Sequence, residues 1–121
     1  MRLFLLGLAL LTAACAGPIA AETGVDQTER AAFLEDGRAI AQMQCARCHA
    51  IGAAGASPRA DAPPLRYVLA RYRPEALTED LNEGMRVGHP DMPQFHLPIQ
   101  GVDALIAYLQ SIQQSPPARE P

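Results

Sequence analysis

Residues 45–49, with the sequence CARCH, constrain the fold more than any other part of the chain. They hold two cysteines and one histidine in a chain that has only three residues of each kind. At the end of a helix, the first, fourth and fifth positions of such a segment lie on one face. The spacing therefore predicts that Cys45, Cys48 and His49 bind the same group.

Two thiols at this spacing can add to two vinyl groups along one porphyrin edge, while the adjacent imidazole reaches the iron. A structural disulfide would be strained and would leave His49 without a role. A thioredoxin-like thiol pair would be expected to begin a helix after a strand. A zinc site needs about four ligands, and the chain adds only His89 and His96. The pattern favours covalent attachment of one haem c.

The composition is typical of one small globular domain, with 49% hydrophobic and 19% charged residues among 121. The chain has no Trp and only six Phe or Tyr residues, so we expect a bound group to complete a small core. Its formal net charge is −3 and all ten basic residues are Arg, which provides no basic patch for nucleic acid or an anionic membrane.

Apolar residues recur at helical spacing in residues 28–44, in a segment that begins at Pro74, and in residues 101–113. The predicted apolar positions are Ala32, Phe33, Ile40 and Met43, then Leu77, Leu81 and Met85, and finally Val102, Leu105, Ile106, Leu109 and Ile112. Residues 66–72 fit a short helix, and no run alternates as a strand would. The predicted fold class is all-α.

A second axial ligand to a haem iron would come from Met85, His89, Met92 or His96. Met85 shares an apolar helix face with Leu77 and Leu81, which favours a place in the core. Met92 lies between prolines in the loop 88–98, whose restricted backbone would hold its thioether towards a metal. Met92 is therefore the predicted ligand, and the two histidines are the alternatives.

Four motifs of the chain together resemble the class I cytochromes c, in particular small bacterial monohaem proteins. They are CARCH, APPL at 62–65, HPDMPQF around Met92 and ALIAYL in the last helix. The resemblance covers roughly residues 31–112. It implies a cytochrome c fold in which three to five helices surround one covalently attached haem and the terminal helices cross. It also implies that Cys45 and Cys48 form thioethers and that His49 and Met92 are the axial ligands.

The resemblance also implies that the Pro63 carbonyl accepts a hydrogen bond from His49 and that Leu65 and Tyr67 line the haem pocket. It matches Gly37, which would weaken a helix by about 1 kcal/mol relative to alanine, with a small residue against which the last helix packs through Tyr108. The family's propionate-binding tryptophan is absent, which leaves Arg66, Tyr67, Arg71 and Tyr72 as candidates.

The segment 1–21 has a basic Arg2, an apolar stretch and small residues before Ala21, the form of a cleaved secretory signal peptide. Cys15 offers an alternative, because LTAAC loosely resembles a lipoprotein cleavage box. Residues 22–113 are then the cytochrome c domain and 114–121 a flexible tail. Export predicts a periplasmic protein, and lipidation of Cys15 would anchor it to the membrane.

The function implied is electron transfer between redox partner proteins, by a monomer or a subunit of a redox complex, without catalysis. The alternatives are a haem c module of a larger dehydrogenase or oxidase and a ligand-binding or peroxidase-like haem protein. The sequence identifies neither the electron donor nor the acceptor.

Overall fold

The computed structural model describes residues 24–84, 88 and 90–118. They form helices α1 (Gly24–Gln44), α2 (Pro74–Asn82) and α3 (Ile99–Ile112), with a 3-10 helix (Leu65–Ala70) between α1 and α2. No strand occurs in these residues, which confirms the all-α prediction for this part of the chain. The predicted signal peptide, Cys15, Met85 and His89 lie outside the described residues.

The helix ends follow local sequence rules. Pro74 occupies the first turn of α2, where its missing N–H costs nothing and its fixed φ suits the helix. Pro98 immediately precedes α3 in an extended conformation. The helix predicted for 28–44 ends where α1 ends, but α1 begins earlier, at Gly24. Among the helices of the described ranges, none is long and apolar enough to cross a membrane.

The first and last helices pack closely at Gly37, as predicted. A Cβ atom on Gly37 would lie 2.7 Å from Cβ of Tyr108 and closer still to the Ala104 carbonyl of α3. Real side chains do not approach so closely, so the missing Cβ permits this contact. The glycine that weakens α1 as an isolated helix is therefore required by its packing against α3.

The buried face of α1 differs from the predicted one. Ala41 is fully buried and Ile40 packs against the core, but Phe33 is 40% exposed and Met43 is 72% exposed. Gly37 meets α3 directly, and Ala41, one helical turn later, is fully buried in the core cluster, so small residues occupy the buried face of α1. Ala32 is exposed as well, so the predicted burial of Ala32, Phe33 and Met43 was wrong.

The predicted apolar face of α3 is confirmed: Val102, Leu105, Ile106 and Leu109 are buried, and Ile112 packs against them. The end of α3 is tied to the 3-10 helix by Gln113, whose side chain accepts from the Leu69 N–H at 3.0 Å and donates to the Leu65 carbonyl at 2.9 Å. The next N–H, of Gln114, donates to the Arg66 carbonyl at 2.8 Å.

Replacing Gly37 by alanine should destabilise the haem-loaded protein by about 1–3 kcal/mol, because the added methyl group overpacks a helix contact that has no room for it. The measurement is urea unfolding followed by circular dichroism. Gly52→Ala is the matched control, since a Cβ at Gly52 would meet no atom within 4 Å. Equal losses in the two variants would contradict the close-contact explanation.

Candidate functional site

The cysteine and histidine side chains are placed by one turn of backbone that follows α1. The N–H groups of Cys48 and His49 both donate to the Cys45 carbonyl, at 3.1 and 2.9 Å, and the Cys45 N–H donates to Ala41 within α1 at 2.9 Å. This turn presents the three side chains at the end of α1. Cys45 and Cys48 are both free thiols.

The environment of Cys45 does not suit thiol-redox chemistry. Burial and, to a smaller extent, the neighbouring Cys48 raise the pKa of the Cys45 thiol to about 11. A reactive redox cysteine needs a lowered pKa, because the thiolate is the nucleophile. Cys45 is therefore protonated at neutral pH, and its buried thiol is better suited to a permanent attachment than to reversible exchange.

The structure also gives no support to a zinc site. No group of three or more His, Cys, Asp or Glu side chains that could hold a metal ion occurs in the described part of the chain. His96 is exposed and lies against Gly84, where an added Cβ would be 3.4 Å from its ring.

His49 is the buried polar residue of the site, with 8% of its surface exposed. Its Nδ1 lies 2.7 Å from the Pro63 carbonyl oxygen, the hydrogen bond that the family resemblance implies. A carbonyl can only accept, so Nδ1 carries the proton and Nε2 keeps its lone pair for a metal. The bond also fixes the orientation of the ring.

The segment after the motif is held by several further hydrogen bonds. The Ala50 N–H donates to Oγ of Ser57 at 3.0 Å, and the Ala50 carbonyl accepts from the Leu65 N–H at 2.9 Å. The Tyr108 hydroxyl donates to the Ile51 carbonyl at 2.9 Å. These bonds attach the loop after His49 to both the 3-10 helix and α3.

The two other predicted pocket residues have different surroundings. Leu65 is 7% exposed and belongs to the core cluster. Tyr67 is half-buried, and the guanidinium carbon of Arg66 lies 4.7 Å from its ring centroid. The Nη1 atom of Arg66 is buried and bonded to no atom of the described chain. The roles of Tyr67 and Arg66 towards a haem stay predictions.

Met92 is half-buried, whereas its neighbours Asp91 and Pro93 are exposed. Gly88 has a φ of 74°, and a Cβ on it would lie 3.4 Å from the Met92 sulfur and 3.8 Å from the Tyr72 hydroxyl oxygen. The sulfur therefore lies beside a bare glycine backbone with the Tyr72 hydroxyl close by. The role of Met92 as an iron ligand stays a prediction.

Sequence reasoning missed an ion pair that joins the two loops of the site. Nη2 of Arg59 lies 2.8 Å from Oδ2 of Asp91, and the same guanidinium binds Asp61 at 2.7 and 2.9 Å. The hydrogen bonds that Arg59 donates to Asp61 and Asp91 raise its pKa above the ordinary value for arginine. The sequence signal was weak: opposite charges 32 residues apart carry no indication that they meet.

These groups fit a covalently attached haem. The chain supplies two unpaired thiols on one turn, an imidazole whose Nδ1 is bonded to a carbonyl so that Nε2 is available to a metal, and a half-buried thioether in a later loop. Thiol exchange and zinc binding would require a lowered thiol pKa or a cluster of further ligands.

A comparison with protein families gives a match to the family model described as Cytochrome c over residues 34–113, which is most of the chain. Searches of curated proteins and of solved structures gave no significant match.

Proposed function

The chain belongs to the cytochrome c family, and on that premise we propose that it is an exported electron-transfer protein whose one haem c is ligated by His49 and Met92. Proteins of this family hold a covalently bound haem c and are generally electron carriers. When bound, the haem supplies a one-electron Fe(II)/Fe(III) couple. Cys45 and Cys48 would hold it through two thioether bonds.

The observation that carries the proposal is the hydrogen bond between His49 and Pro63. At 2.7 Å the Pro63 carbonyl accepts a hydrogen bond from Nδ1–H, so in the neutral ring Nε2 has the lone pair that a metal would need. The same bond restrains the ring, so the proximal ligand needs little rearrangement when the charge of the metal changes. Such a restraint suits an electron carrier.

Met92 is proposed for the opposite axial position. A thioether favours the ferrous state, so His/Met ligation gives a relatively high reduction potential. With His49 and Met92 both bound to the iron, a substrate would have no coordination position, which favours electron transfer over catalysis. We therefore propose a carrier, with redox proteins as its partners, rather than an oxidase or peroxidase.

Replacing Met92 by alanine should remove the weak long-wavelength absorption band that reports iron–methionine coordination, because the proposed sulfur ligand is lost. The reduction potential should fall for the same reason. Both are measured on the ferric and ferrous holoprotein. Met43→Ala is the control, since Met43 is 72% exposed on α1 and should leave the band unchanged. If Met92→Ala keeps the band while Met85→Ala loses it, the axial assignment is wrong.

Replacing Gly88 by alanine should weaken the same band, since the new methyl group would be in van der Waals contact with the Met92 sulfur, at 3.4 Å, and would limit its movement towards the iron. The positive φ of Gly88 adds a backbone strain of about 1–2 kcal/mol. Gly55→Ala separates the two effects: Gly55 also has a positive φ, of 92°, but no atom lies within 4 Å of its Cβ position. Both variants should be less stable, and only Gly88→Ala should change the band.

The export proposal rests on the composition of residues 1–21, a basic residue followed by an apolar stretch and small residues. The mass of protein purified from a periplasm should correspond to a chain that begins at Glu22 and carries one haem. A diacylated mass beginning at Cys15 would instead show a lipid-anchored protein. A mass that retains residues 1–21 would contradict export by this segment.

A further inference from the structure

We propose that Arg59 is a positioning residue for Met92: it ties the loop that carries Met92 to the haem-attachment segment and so opposes dissociation of the methionine from the iron. This inference rests on the proposed function, because it takes Met92 to be the axial ligand. It concerns a residue to which neither the sequence nor the family match gave a role.

One end of the tie is formed by the Arg59 backbone. The Arg59 N–H donates to the Cys48 carbonyl at 3.2 Å, and the Arg59 carbonyl accepts from the Ala62 N–H at 3.1 Å. The next residue, Pro63, accepts the hydrogen bond from His49 at 2.7 Å. Residues 59–63 are thus bonded to the motif at two points, so Arg59 has a fixed position relative to Cys48 and His49.

The other end is formed by the Arg59 side chain. Its Nε and Nη2 bind the two carboxylate oxygens of Asp61 at 2.7 and 2.9 Å, which sets the plane of the guanidinium. Nη2 also binds Oδ2 of Asp91 at 2.8 Å, and Asp91 directly precedes Met92. The guanidinium is therefore held by its own loop and extended to the residue beside the proposed ligand.

The rest of the Met92 loop is anchored differently. Phe95 and Leu97 pack against the core cluster, and Nε2 of Gln94 donates to the Gly84 carbonyl at 3.3 Å. These contacts hold the loop after Met92. The Arg59–Asp91 contact acts on the side before it, so the two sets of contacts restrain Met92 from both directions along the chain.

The effect should be small and measurable. The side chains of Arg59 and Asp91 are 41% and 59% exposed, so water and salt screen their attraction. Imidazole at a pH where it is uncharged competes with Met92 for the ferric iron, and its binding reports how readily the methionine leaves. Arg59→Gln and Asp91→Asn should each strengthen imidazole binding by about 1.5- to 5-fold, the range for exposed ion pairs.

Glu35→Gln is the matched control. Glu35 pairs with Arg38 at 2.8 Å on α1, and its side chain is 61% exposed, close to the value for Asp91. Like Asp91→Asn, the Glu35→Gln substitution removes one negative charge from an exposed ion pair, but this pair does not contact the Met92 loop. Its imidazole binding and its iron–methionine band should equal those of the unmodified protein.

The double variant Arg59→Gln/Asp91→Asn isolates the pair, because Arg59 also binds Asp61 and Asp91 has further contacts. If the two residues act through each other, the double variant binds imidazole no more tightly than the stronger single variant. Effects that multiply, or an equal rise in Glu35→Gln, would overturn the proposal. If Met92→Ala loses the band but Arg59→Gln and Asp91→Asn bind imidazole normally, the tie fails and the axial assignment stands.

Discussion

The contact between Gly37 and α3 is the constraint on which the rest of the structure depends. Because Gly37 lacks a Cβ, α3 approaches α1 at Ala104 and Tyr108. The CARCH turn continues directly from the end of α1, so this contact also determines where the turn lies relative to α3. Tyr108 completes the link, since its hydroxyl binds the Ile51 carbonyl two residues after His49. One helix contact thus positions both sides of the attachment turn.

The parts of the fold that were predictable depend on local pattern. The buried positions of α3 follow helical spacing, because an apolar stripe of that period can only be buried on one side. Phe33 and Met43 follow a similar spacing in α1 but are exposed. The reason is that packing against α3 determines which face of α1 is buried, and the buried face has the small residues Gly37 and Ala41. A periodic pattern in one helix does not contain that information.

The residues of the site likewise include some that the sequence predicts and some that it does not. The spacing of Cys45, Cys48 and His49 was enough to predict that their side chains share one face. The family resemblance predicted that the Pro63 carbonyl accepts a hydrogen bond from His49, and the structure contains this bond. Arg59 and Asp91 were not predictable, because a salt bridge between separate loops depends on where both loops lie after folding. The place of Gly88 beside the Met92 sulfur was missed for the same reason. No regular sequence spacing indicates that these two residues are in contact.

The two proposed axial ligands are therefore held in place by different kinds of interaction. His49 is buried and restrained by a backbone carbonyl in a loop that is itself bonded to the motif at Cys48 and Ala50. Met92 lies in a loop that packs against the core after Met92, through Phe95 and Leu97, but is restrained before Met92 by an exposed ion pair, whose attraction water and salt weaken. A backbone segment hydrogen-bonded at several points opens less readily than a loop held on one side by surface charges. If both residues bind the iron as proposed, exchange of ligands should begin at Met92, while His49 and thioether bonds to Cys45 and Cys48 would keep the haem in place.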